Sequence, residues 1–212
     1  MASAKPFIFF AALTTAAVFS AAQQQTSEVL PPPKPGGGPV KGATYAVDPD
    51  HTFVIYEIDH YGTTTNRGRF SAKEGTVRIG PGGTGGSSID VTIDIGSVST
   101  GVELLDRHLK SSEFFDAARF PTGHFVSNKI AFSGNKVTAV DGTLTLMGQA
   151  RPVTLKATRF NCYIAPLINR QTCGGDFEAT VQRSQWGISW GNSFGFEDKV
   201  RLLVQVEAIN SR

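Results

Sequence analysis

Tryptophan, methionine and cysteine are down to two residues each in this chain of 212, and histidine to four. Those histidines form no H-x-H or H-E-x-x-H spacing, so no zinc pattern is present. Lys and Arg form no dense run: 20 of them stand against 18 Asp and Glu, for a formal net charge of +2. Such a balance gives no electrostatic footprint for nucleic acid or for an anionic membrane surface. No P-loop spelling occurs, and GTGGS at 83–87 is read as a turn because no helix signal follows it. Beyond the first residues, no segment approaches the ~20 apolar residues a spanning helix needs.

What the chain does have is glycine, 23 residues, and phenylalanine, 15 residues, in a composition that is 40% hydrophobic. With Val, Ile and Thr frequent among the rest, strands and turns are favoured over long helices. Lys5 precedes an apolar stretch from Phe7 to Phe19, and Ser20-Ala21-Ala22 supplies small side chains before Gln23. That is the pattern of a cleavable export signal over 1–22, so a periplasmic location is expected. Residues 23–43 are rich in Pro and Gly and read as a flexible tether. The folded domain is placed at 44–212. In an oxidising compartment Cys162 and Cys173, the only pair, are expected to form a structural disulfide; a metal pair or a redox dithiol finds no C-x-x-C or neighbouring histidine to support it.

Period-2 alternation recurs through the domain. Val54, Tyr56, Ile58 and His60 share a parity, as do Ile89, Val91, Ile93 and Ile95. Leu144 and Leu146, then Val153, Leu155 and Ala157, then Phe177, Ala179 and Val181, and finally Val200, Leu202, Val204 and Val206 repeat it. Each run predicts a strand with one apolar face. Turns are placed at 81–86, 133–135 and Asp141-Gly142. One stretch, 102–118, breaks the series: Thr100 and Glu103 have capping-box spacing, Leu105 and Leu109 helical spacing, and Ser112 could cap a second short turn. Without strand–helix alternation, the expectation is one mainly β domain, an antiparallel sheet closed on itself or stacked in two layers. A closed sheet of about eight strands holds either a packed interior or one ligand.

Four segments carry a resemblance. Residues 45–70 contain Asp48, Pro49 and His51, then Val54, Tyr56, Ile58, His60 and Gly62 in alternation, then Gly68-Arg69-Phe70. A helical stretch ends in Phe120-Pro121 to Phe125. GTLTLMGQARPVTL spans 142–155, and Arg183, Ser184, Trp186 and Gly187 follow the second cysteine. In this order the segments resemble the YceI-like family of polyisoprenoid-binding proteins. The resemblance implies a lipocalin-like antiparallel β-barrel whose apolar cavity holds a long isoprenoid or fatty chain. Many members carry His where this chain has Met147; if that histidine touches a ligand head group, Met147 implies a different or less polar head.

The candidate ligand-binding set is therefore Val54, Tyr56, Ile58, His60, Phe70, Ile89, Val91, Ile93, Leu105, Leu109, Phe114, Phe115, Phe120, Phe125, Leu144, Leu146, Met147, Val153, Arg183, Trp186 and Phe194. Any one of the phenylalanines could instead fill a dry core. His60 has the inward parity and could meet a ligand carbonyl or be a satisfied core histidine. Arg183 extends the inward parity of its strand and could anchor a polar head; alternatively it stands on the rim, paired to a surface carboxylate. No catalytic residue and no cofactor is expected beyond a bound isoprenoid lipid or quinone. The sequence supports a carrier first, with a filled-barrel interaction protein or an enzyme acting on a lipid behind it. It leaves open a homodimer and a membrane protein partner that loads the lipid.

Overall fold

The structure is a computed structural model and describes residues 30–212. The expected export signal at 1–22 and the first part of the tether lie outside the described residues.

Ten strands and one α-helix make up the described fold: β1 (Lys34–Pro35), β2 (Thr44–Val47), β3 (Phe53–His60), β4 (Thr64–Gly80), β5 (Gly83–Ser99), α1 (Glu103–Lys110), β6 (Thr122–Ser133), β7 (Lys136–Leu146), β8 (Gln149–Ala165), β9 (Arg170–Gln182) and β10 (Lys199–Asn210). From β3 to β10 each strand pairs antiparallel with the next, and β10 returns to β3, with Val204 opposite Val54 and Val200 opposite Ile58. That closure is the expected eight-stranded barrel, and it leaves none of the eight with a free edge over its paired length. β2 extends the wall between β4 and β10 where β3 has not yet begun. Register shifts in the β4–β5 ladder at Arg69/Ser71, Ala72/Glu74 and Arg78/Gly80 bend these long strands around the barrel.

The connections sort to two ends. The β3–β4 turn, the β5–β6 connection with α1, the β7–β8 turn and the β9–β10 connection lie at one end. The β4–β5, β6–β7 and β8–β9 turns lie at the other. There a second apolar cluster of Ala43, Tyr45, Val47, Ala72, Ile79, Cys162, Cys173 and Ala208 closes the wall. Cys162 and Cys173 stand directly opposite each other on β8 and β9 and form the expected disulfide.

Residues 34–43 fall in the stretch expected to be a tether, yet they lie against this closed end. Lys34 and Pro35 pair with Ile164 and Tyr163, and the Gly36 N–H donates to the Cys162 carbonyl at 3.0 Å. The Gln171 amide donates to the carbonyls of Gly36 and Gly38, and the Tyr45 hydroxyl accepts from the Val40 N–H while donating to Gln171. Composition hides this because backbone groups make the attachment, and these need no apolar pattern.

Two local expectations are corrected. Asp141 and Gly142 are not a turn; they lie inside β7, opposite Lys129 and Ser127. A Cβ on Gly142 would fall 2.3 Å from the Phe125 ring, so this glycine makes room for a cross-strand phenylalanine. The Thr100–Glu103 capping box does not form either. Asp106 Oδ1 instead accepts from the Thr100 N–H and hydroxyl, at 2.7 and 2.6 Å, while Glu103 pairs with Arg107. The helix ends at Lys110, and residues 112–115 continue as turn.

Candidate functional site

The inward faces of the strands enclose two chambers, of about 140 and 300 Å³. Val54, Ile93, Leu144 and Leu202 line both, so they form the waist between the two. The first chamber fills the closed half. Its walls include Ile89, Val91, Phe125 and Val153 from the predicted set, with Pro39 of the attached segment, Cys173 of the disulfide, and Val204 and Val206 of β10. Its few polar groups are occupied: the Tyr45 hydroxyl is bonded to Gln171, and the Thr52 hydroxyl to the Glu207 backbone at 3.2 Å. A cavity lined in this way offers water almost no partners and favours hydrocarbon.

The second chamber lies toward α1. Tyr56, Ile58, His60 and Phe70 reach it from the sheet, Leu105, Leu109, Phe114 and Phe115 from the helical stretch, and Leu146, Arg183 and Trp186 from the far wall. Here the lining is less uniformly apolar. Tyr56 lies flat across β4 because Gly68 opposite it has no side chain; a Cβ there would fall 2.5 Å from the ring. Burial, with Asp106 as a smaller contributor, pushes the Tyr56 phenol up to about 12, so it stays a hydrogen-bond donor at any physiological pH. Asn66 sits opposite Ile58 on β4, between His60 and Tyr56 on the neighbouring strand. His60 stacks edge-on to Tyr61 and Phe196 at 5.0 and 6.0 Å. His108 bonds Glu113 at 2.8 Å and meets Phe114 and Trp190 edge-on.

Arg183 lines the second chamber and does not stand on the rim. It is buried, 6% exposed, at the start of a 3-10 turn (Arg183–Trp186). Its guanidinium donates to the Glu197 and Ile188 carbonyls, each at 2.9 Å, and to the Asn192 side chain, and it lies 5.2 Å from the Phe196 ring centre. Those bonds hold the 183–198 connection together, and no surface carboxylate pairs with it. Ser184 and Asn192 bond Asp198 alongside, which completes the same loop.

Three members of the predicted set line neither chamber. Phe194 is 70% exposed on a 3-10 turn (Asn192–Phe194). Phe120 is half-buried and stacks under Arg119, with 5.2 Å to its ring. Met147 forms the β7–β8 turn with Gly148, both at positive φ, and packs on the barrel's core from outside the cavities. Its two-residue loop has the backbone of a tight hairpin, which explains why the strand period breaks there. Conversely, Leu202, Val204 and Val206 line the chambers and were readable from alternation, whereas Tyr61, Trp190 and Phe196 come from loops that carry no periodic signal.

Two nucleophile-like spellings also occur, and neither has its context. Gly191-Asn192-Ser193-Phe194-Gly195 reads G-x-S-x-G, but Ser193 is exposed on the 3-10 turn rather than between a strand and a helix. Ser133 and Lys136 simply flank the β6–β7 turn. Among the described residues, no three His, Cys, Asp or Glu side chains converge on one point.

A closed eight-stranded antiparallel barrel with an apolar interior is the class of protein that this geometry defines. Residues 45–208 match the YceI-like domain, and the chain belongs to the YceI-like family. It is 34% identical over 177 residues to protein YceI of Salmonella arizonae, covering 82% of this chain and 91% of that one. Over 123 residues it is 33% identical to a UPF0312 protein of Pseudomonas savastanoi, a match that spans only 64% of that relative. Among solved structures, BcnA of Burkholderia cenocepacia superposes with a TM-score of 0.58 at 25% identity, covering 76% of this chain and 98% of BcnA. A polyisoprenoid-binding domain from Saccharophagus degradans, at 14% identity and TM-score 0.55 over 79% of this chain and 99% of that one, shares the fold.

Proposed function

We infer that this protein is a non-enzymatic carrier or store for a long isoprenoid lipid whose head is uncharged and accepts hydrogen bonds, a quinone being the simplest case. One observation carries the reading: the two chambers meet at a common waist, and the polar side chains of the inner one, Tyr45 and Thr52, are already bonded, while Tyr56, His60 and Asn66 line the outer one. An extended tail would occupy the inner chamber, where each buried methylene contributes ~0.8 kcal/mol. The head would rest near Tyr56, His60 and Asn66. Tyr56 offers a protonated phenol, and Arg183, the one cation on that wall, has its guanidinium turned to the 183–198 loop. A phosphate or pyrophosphate head would thus meet hydrogen bonds but no free cation, whereas a carbonyl head would be matched.

The filled-barrel alternative leaves the chambers without a purpose, because voids this large in an apolar core cost stability. An enzyme acting on the lipid would need a base or nucleophile facing the chamber, a role for which His60 is the only candidate among the sequence-predicted residues. A periplasmic location is supported by the leader pattern at 1–22 and by the disulfide.

The test is extraction of the purified protein with chloroform and methanol, followed by mass spectrometry. A prenylated neutral head recovered in near-stoichiometric amount supports the proposal. An isoprenoid phosphate would overturn the head-group assignment, and no lipid at all, even after incubation with a long-chain quinone, would overturn the carrier reading.

A further inference from the structure

The outer chamber comes to the surface at Tyr61 and Trp190, which line it and are themselves 52% and 39% exposed. These two belong to a chain of aromatic contacts around the opening. Tyr61 meets Phe196 at 5.9 Å, Phe196 meets Trp190 at 6.4 Å, and Trp190 meets His108 at 5.0 Å. Beyond that chain of contacts, on the same end of the barrel, the 183–198 loop exposes Phe194 and the start of α1 exposes Val102 and Leu104; Leu104 and Phe194 are each 70% exposed. Large apolar side chains left in water at three separate connections around one opening are a feature to be explained.

We propose that this rim is a membrane-docking surface: it inserts shallowly into the interfacial layer of a phospholipid bilayer, so that lipid passes between bilayer and chamber without crossing water. The proposal rests on the carrier reading for its purpose, though not for its geometry. Continuity with the chamber points to a bilayer, since the apolar rim borders the chamber that a water-insoluble tail would have to enter. The residue types agree, because Trp and Tyr favour the headgroup level while Leu, Val and Phe favour the acyl boundary below it. A second copy seated here would cap the opening instead. Charge sets the kind of surface: the three connections at this end carry Glu103, Asp106, Glu113, Asp116, Glu197 and Asp198 against Arg107, Lys110, Arg119 and Arg183. That balance gives no field favouring anionic lipid, so docking should persist on zwitterionic vesicles and in high salt.

The protein holds two tryptophans, and Trp186 is 1% exposed, so a bilayer contact would be reported by Trp190 alone. Full-length mature protein is mixed with vesicles of pure phosphatidylcholine, with and without brominated acyl chains. The expected result is co-flotation with the vesicles and quenching of part of the tryptophan emission by the brominated lipid, both retained at 0.5 M salt, roughly three times the physiological level. The double variant Leu104→Glu, Phe194→Glu alters side chains that line neither chamber, and it should lower vesicle partitioning roughly tenfold or more while leaving the affinity for a detergent-solubilised prenyl quinone unchanged. Absence of flotation, quenching equal in the variant and the original, or a stable dimer that shields Trp190 would overturn the proposal. Docking without any extractable or exchangeable lipid would overturn the carrier reading and leave the surface standing.

Discussion

The Trp186 indole N–H donates to the Leu144 carbonyl at 3.0 Å, and Leu144 lines both chambers. One hydrogen bond thus ties the 3-10 turn after β9 to the waist of the cavity. Replacing Trp186 with Phe removes the donor and leaves a void in a site that is 1% exposed. The expected loss is about 2–3 kcal/mol, combining an unmade buried bond with missing volume. It would be read as a lower urea midpoint at unchanged slope. An unchanged midpoint would show that the turn is held by its other contacts.

Arg183→Met separates its two possible duties. The guanidinium's observed partners are loop carbonyls and Asn192, so the variant strands buried acceptors and should lose about 2–4 kcal/mol of stability. Where the variant remains folded, its affinity for a prenyl quinone and for a plain long hydrocarbon should fall by the same factor. A selective loss for the quinone would return Arg183 to the role of head-group anchor.

The barrel was legible because each strand repeats a parity that water enforces: Val54 to His60 and Val200 to Val206 need no partner to declare which face is wet. The lining was legible only where parity continued. Phe194 and Phe120 are large and apolar, yet they sit on connections whose course depends on Arg183 and Asp116, and sequence spacing does not encode that course. Asp141-Gly142 has the spelling of a turn, but the ring of Phe125 from β6 claims the space over Gly142. The attached segment at 34–43 was hidden for the converse reason, since it is held through its own backbone groups.

Tyr56 gives a titration that can be followed directly. Of the four tyrosines, burial raises Tyr45, Tyr56 and Tyr163, and Tyr56 is the one pushed up to about 12. Absorbance of phenolate should therefore leave one tyrosine un-ionised well above pH 10.5, and Tyr56→Phe should remove that late component. Because the phenol is protonated throughout, quinone binding should be flat in its Tyr56 contribution from pH 6 to 10. Tyr56→Phe should weaken a quinone roughly 5- to 10-fold, the worth of one hydrogen bond, without weakening a bare hydrocarbon. Equal weakening of both would mean that the ring, and not its hydroxyl, carries the contact.

His51 carries a pH dependence whose sign follows from its partner. Its Nδ1 lies 2.8 Å from Asp48 Oδ2, and that hydrogen bond raises the imidazole pKa above its usual value. A raised folded-state pKa means that the contribution is fully present below the unfolded value near 6.5 and is lost as pH rises through the higher folded one. His51 is largely exposed, so the effect is small and is best read on the group itself. A proton-resonance titration should place His51 above 6.5, and Asp48→Asn should return it toward that value. A titration unmoved by Asp48→Asn would show that the contact is absent in solution.

The disulfide and the attached segment should fail together. Cys162 and Cys173 are separated by 11 positions, and closing a loop of that size stabilises the fold by about 3 kcal/mol in the chain-entropy picture. The Cys162 carbonyl also receives the Gly36 N–H, and Cys173 lines the inner chamber beside Pro39. Reduction, or the paired Cys162→Ala, Cys173→Ala change, should therefore do more than lower the unfolding midpoint. Amide exchange at Gly36 should accelerate ahead of exchange in β3 and β10, whose pairing lies toward the other end of the barrel. The inner chamber would then open at its closed end, and retained lipid should dissociate faster from the reduced protein. Uniform acceleration across all strands would instead mean that the bond stabilises the barrel as a whole, with no separate hold on the segment that closes it.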